Sequence, residues 1–163
     1  MQLLKTTALG VVATALLAGC SMLQSLQKPK VETTVRFYEQ ADSALPAESV
    51  QPVVIPTTGV RLTISPYPVL TEKDVHSAEL YNTAGGKAVF LRFDSHGEIV
   101  LDELTTRTRG QYIVVMVDNH PVSAWLVDQR IVNGQFLVEG DFTDQEAQKI
   151  VDDLNKLSKI NEQ

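Results

Sequence analysis

One cysteine, Cys20, is all that the 163 residues contain. No disulfide can form within the chain, so the fold must rest on its core. Long apolar runs are missing as well. The stretch from Thr6 to Leu17 is shorter than the roughly 20 residues a membrane-spanning helix needs, and the polar residues Ser21, Gln24, Ser25, Gln27 and Lys28 come close behind it. Positive charge is weak: the net charge is −6, and the longest basic cluster is Lys28-Pro29-Lys30. A protein that grips phosphate backbones needs a basic face, so nucleic acid is excluded as a partner. Only His76, His96 and His120 are available as imidazole ligands, and none stands at His-x-x-x-His spacing. With no cysteine to spare, a metal site would have to draw carboxylates from distant segments, and none is expected. Serine chemistry has no Gly-x-Ser-x-Gly; Ser123 lies near His120 and Asp118, but successive residues of a strand point to opposite faces. The acids Asp102-Glu103, Asp152-Asp153 and Glu139 with Asp141 have the pattern of solvated faces. Gly85-Gly86 lacks the lysine and hydroxyl of a phosphate loop. No catalytic residue is therefore expected.

What is present begins with a secretory layout: Lys5 in a short polar start, the apolar stretch to Leu17, then the small residues Ala18 and Gly19. The lone cysteine follows directly. The run Leu17-Ala18-Gly19-Cys20 resembles the lipobox of bacterial lipoproteins. That resemblance implies removal of residues 1–19, a diacylglycerol thioether on Cys20 and a third acyl chain on the new α-amine. Each buried methylene contributes about 0.8 kcal/mol, so several chains hold a protein firmly where one does not. The covalent lipid on Cys20 is the sole prosthetic group expected. In such lipoproteins the residue after the cysteine influences sorting. Here it is Ser21 rather than the aspartate linked to inner-membrane retention, which implies an outer-membrane anchor facing the periplasm. Loss of Lys5 with residues 1–19 moves the net charge from −6 to −7.

Residues 20–32 are the lipidated cysteine and a Ser, Gln, Lys and Pro-containing tether. Residues 33–157 are read as one domain, and residues 158–163 as a C-terminal tail. Thr33 to Glu39 is β-branched and aromatic, hence a strand. Val53 to Ile55 and Val60 to Ile64 form two short strands about a turn, kept at an edge by Pro52, Pro56, Pro66 and Pro68. Thr71-Glu72-Lys73-Asp74 has capping-box spacing and predicts a helical turn through Val75 and Ala78. Glu79 to Asn82 and Lys87 to Phe93 make a hairpin about Gly85-Gly86. Ser95 and Glu98 form a second capping box, for a helix that buries Ile99, Val100 and Leu104 and ends near Gly110. Tyr112 to Val117 is unbroken apolar sequence, a strand covered on both faces. Asp118 to Pro121 turns the chain into a strand over Val122 to Val127. Asn133-Gly134 predicts a hairpin between strands at Arg130 to Val132 and at Gln135 to Glu139. The last helix is capped by Thr143 and Glu146, buries Ala147, Ile150, Val151, Leu154 and Leu157, and is stapled by Phe142 onto Ala147. Strands, helix, strands and helix in this order predict an α+β fold, an antiparallel or mixed sheet with two main helices on one face.

The second half carries a further resemblance. Phe90-Leu91-Arg92-Phe93, Leu104-Thr105, Gly110, Val114 to Asp118, Val122-Ser123-Ala124, Asn133-Gly134 and Val138 to Thr143 with Glu146-Ala147 and Leu154 resemble the head subdomain of the first periplasmic region of SecD, an accessory translocase subunit. The match is firmest over residues 70–157. It implies the SecD-head fold and a habit of contacting proteins in the periplasm. The chain departs from that family in having no membrane-spanning helices and in placing Trp125 where proline is common, so proton-driven translocation does not carry over. Trp125 is either core or, if exposed beside Tyr112 or Phe136, a partner contact, since tryptophan is enriched at interface hot spots. The function expected is a non-catalytic, membrane-anchored lipoprotein that binds protein or envelope partners. The alternatives are a helper in export or outer-membrane assembly, and an envelope enzyme or small-ligand carrier. A deep pocket of convergent polar groups would favour the last; a filled core with an exposed apolar patch would oppose it.

Overall fold

The computed structural model describes residues 32–161 apart from residue 43. Cys20, the Leu17-Ala18-Gly19 motif, Ser21 and the tether lie outside the described residues.

The apolar run Tyr112–Val117 (β6) is the centre of the fold. It lies between Val35–Glu39 (β1) and His120–Leu126 (β7) in an antiparallel sheet of order β1-β6-β7. Because side chains alternate along a strand, β6 serves two cores. Ile113 and Val115 enter the main core with Val35 and Phe37; Val114 and Met116 enter a smaller one with Tyr38. The smaller core is closed by the hairpin Gln51–Val54 (β2) and Arg61–Ile64 (β3), through Val53, Ile55 and Ile64.

A second antiparallel sheet holds Val75–Thr83 (β4), Gly86–Phe93 (β5) and Gln135–Phe142 (β8) in the order β4-β5-β8. Its inner face, Ala78, Val89, Leu91, Phe136 and Val138, completes the main core. Ser95–Arg107 (α1) adds Leu101 and Leu104 to that core, and Asp144–Asn161 (α2) adds Ala147, Ile150, Val151 and Leu154. The α+β class with antiparallel pairing and two helices is as expected, but the strands form two three-stranded sheets and a hairpin rather than one sheet.

Local expectations fare unevenly. Thr143 and Glu146 form the capping box foreseen for α2: Glu146 N–H donates to Thr143 Oγ1 at 3.2 Å, and Thr143 N–H and Oγ1 donate to Glu146 Oε2 at 2.9 and 2.7 Å. The helix then runs to Asn161 instead of yielding to a tail at residue 158, because Ser158 is buried and its hydroxyl donates to the His76 carbonyl at 2.6 Å. The Thr71–Asp74 box is also present, but it closes only a single 3-10 turn and Val75 already begins β4. For α1 the cap is Asp94, not Ser95, since Asp94 accepts from Gly97 N–H at 2.8 Å. Ile99 is 60 % exposed, and Leu101, two positions on, takes the core site. No strand forms at Arg130 to Val132. The segment is tied to α1 instead, by the Arg130–Asp102 ion pair and by Ile131 N–H donating to Thr105 Oγ1 at 3.0 Å, while β8 pairs with β5.

Candidate functional site

The site grows out of the break between the sheets. β7 ends one sheet and β8 ends the other, and no ladder joins them. Two irregularities of the strands accompany the break. Pro121 removes a donor from β7, and register slips at both strands. Val115 faces Ser123 while Met116 faces Pro121, which leaves Val122 extra on β7. Ala88 faces Glu139 while Lys87 faces Phe142, which leaves Gly140 and Asp141 extra on β8. Such bulges re-aim side chains and end pairing. Gly140 leaves room for the Phe142 ring there: a Cβ would lie 2.8 Å from it, so a larger residue would need the ring to shift.

The seam opens into a groove of about 420 Å³ where Pro56, Pro121, Val117, Val122, Phe142 and Ile150 supply apolar wall, with Asp118, Asp141, Glu146 and Lys149 among its polar residues. Most of these charges are engaged. Asp118 Oδ1 accepts from Thr34 N–H at 2.8 Å. Lys149 Nζ donates to Thr33 Oγ1 at 2.8 Å and to Asp153 Oδ2 at 3.1 Å, and Thr33 Oγ1 donates to Asp153 at 2.7 Å. The Asp153 carboxylate holds the Lys149 ammonium above its ordinary pKa. For Asp153, burial pulls upward, but the Thr33 and Lys149 hydrogen bonds and the Lys149 charge together leave its carboxyl below the ordinary value. The Thr143 backbone N–H and hydroxyl likewise depress Glu146. Asp141 is exposed and has no hydrogen bond or ion pair among the described residues.

Trp125 falls between its two expected roles. It is half-buried, its ring stands edge-on to Phe136 with centroids 5.6 Å apart, and its remaining surface walls a second groove beside Phe90, Ile131 and Leu137. Tyr112, also half-buried, pairs across the ladder with Leu126 and does not line that groove.

Two of the three histidines stand elsewhere than foreseen, while His96 lies in the first turn of α1, at the helix start expected for it. His76 is exposed on β4 rather than in a helical turn. His120 is the first residue of β7. His96 Nδ1 lies 2.9 Å from Asp74 Oδ1, and with Asp94 these groups come close enough to meet at one ion. Both acids are already engaged as caps: Asp74 accepts from Thr71 N–H at 2.8 Å, and Asp94 accepts from Gly97. Asp118, His120 and Ser123 are joined by no hydrogen bond among the described residues. Asp102 is gripped by Arg130, whose hydrogen bonds hold its carboxyl below the ordinary value. Asp141, Val122 and Phe142 were not singled out from sequence as one site; Pro121 and Gly140, odd residues within strands, were the available signal.

These features define a two-sheet α+β domain with an open, bulged seam at its edge. The family described as SecDF, P1 head subdomain, matches residues 47–156, and the chain belongs to it. Two solved structures share the fold, titled "Structure and function of a membrane component SecDF that enhances protein export" and "Crystal structure of SecDF in Super-membrane-facing form". Each is 21 % identical with a TM-score of 0.60 over 77 % of this chain, and the match covers 63 % of the first structure's chain and 19 % of the second's. The chain thus corresponds to less than two thirds of either. No curated protein matches it. Among the described residues no helix is long and apolar enough to cross a membrane.

Proposed function

We propose that this protein is a periplasm-facing lipoprotein, anchored through Cys20 in the outer membrane, whose head domain binds polypeptide without chemical conversion. The observation that carries this reading is the seam between β7 and β8. Two unpaired strand edges offer backbone donors and acceptors to an extended chain, and the groove beside them is apolar along Val117, Val122, Phe142 and Ile150. A non-catalytic role is supported by the engagement of its polar groups: Lys149, Glu146 and Asp118 are held by Thr33, Thr143 and Thr34. The export-accessory reading draws support from family membership and from the relative whose title ascribes to it enhancement of protein export.

A photo-cross-linking side chain placed at Val122 or Phe142 in cells should capture a protein partner that one at Glu103, on the exposed face of α1, does not. Equal capture at all three, or none, would remove the docking role. For the anchor, Cys20→Ser should abolish acyl labelling and leave an unprocessed or mislocalised precursor; unchanged fractionation would defeat it. For export, deletion of the gene should slow maturation of secreted proteins, and normal maturation would count against that role.

A further inference from the structure

Beyond the capacity to hold an extended chain, the charges around the seam assign a preference among chains; this rests on the docking reading above. We propose that the β7–β8 groove selects segments in which a lysine or arginine stands next to apolar residues.

The argument is one of residual charge. Lys149 is the cation of the first groove, and Asp153 and Thr33 hold it. Lys87, which lines the adjoining part of the seam, donates to Asn82 at 2.8 Å and lies 3.5 Å from Asp144. The acids are not matched in the same way. Asp141 lines both parts of the seam, Glu139 lines the second, and both are exposed with no hydrogen bond or ion pair among the described residues. An anionic occupant is disfavoured at the first turn of α2, whose N–H groups would otherwise attract one, because Thr143 takes the Glu146 N–H and the Glu146 carboxylate stands there. The β8 bulge places Asp141 beside Phe142, so a carboxylate and an apolar surface face the same occupant. In strand form a segment projects alternate residues to opposite sides. Residues laid over Val122, Phe142 and Ile150 would then be flanked by neighbours turned toward Asp141 and Glu139.

The test uses the full chain and three fluorescent nine-residue peptides that share alternating valine and phenylalanine and carry serine, lysine or glutamate between them. The lysine peptide should bind about fivefold more tightly than the serine peptide, the gain of an exposed ion pair, and the glutamate peptide more weakly than either. Raising the salt should shrink the spread. Asp141→Asn with Glu139→Gln should bring the lysine and serine peptides to the same affinity; both sites are exposed and unpaired, so the fold is retained. Equal affinities for all three peptides would overturn the charge preference and leave docking standing. Failure of every peptide to bind would overturn both.

Discussion

A methyl group at Gly97 has no room: its Cβ would lie 2.8 Å from Phe93 Cβ and 3.0 Å from the Asp74 carbonyl oxygen. Gly97→Ala should therefore lower stability by about 1–3 kcal/mol, the usual cost of overpacking, read as a lower urea midpoint at unchanged slope. Thr143 is small but closes two bonds of the α2 cap, and Thr143→Ala should cost about 1 kcal/mol by the same measurement. The depressed carboxyls of Glu146 and Asp153 set a direction with pH. Folding holds each below its unfolded value, so the stability they contribute is complete above the ordinary carboxylate range, about pH 4, and is lost as pH falls through their folded values. Glu146→Gln should flatten the acid limb of the stability profile, and an unchanged limb would show that its cap adds nothing. At this scale capping-box spacing was a partial guide. It selects Thr143, with Glu146 three residues on, over the adjacent Asp144, and the structure agrees; it likewise selects Ser95, with Glu98 three residues on, over the adjacent Asp94, and there backbone geometry decides for Asp94. Ile99 misled for a related reason: the buried face of α1 includes Gly97 and Thr105, which hydropathy does not mark as core.

Among elements, those defined by their own residues were readable and those defined by distant partners were not. β6, the β4–β5 hairpin and α2 each announce themselves through apolar runs, turn glycines or helical spacing. Asn133-Gly134 is a genuine turn, and Gly134 has φ 61°, but the strand before it was lost to contacts with α1 that no local pattern encodes. The groove was illegible for the same reason, since Val122, Phe142 and Asp141 meet only through the separation of two sheets. Its shape depends on the β8 bulge. Gly140→Ala should push the Phe142 ring away from its present position, which a shift in the Phe142 aromatic resonances would show, and should weaken peptide binding; an unmoved ring would mean the bulge relaxes elsewhere.

For the whole molecule, the α+β class followed from the order of elements, while the division into two sheets required knowing which edges stay apart. The domain also extends further than composition implied, since α2 keeps its hold on β4 through Ser158. Covered on both faces, β6 separates a large core of nineteen buried residues from a small one of six. Were the β2–β3 hairpin to lift away, breaking the Ala41–Thr63 and Ser65–Glu39 backbone bonds, Tyr38, Val114 and Met116 would be exposed while Phe37, Ile113 and Val115 stayed covered by the main core. Amide hydrogens of β2 and β3 should then exchange with solvent by this partial opening, and those of β6 only when the entire domain unfolds.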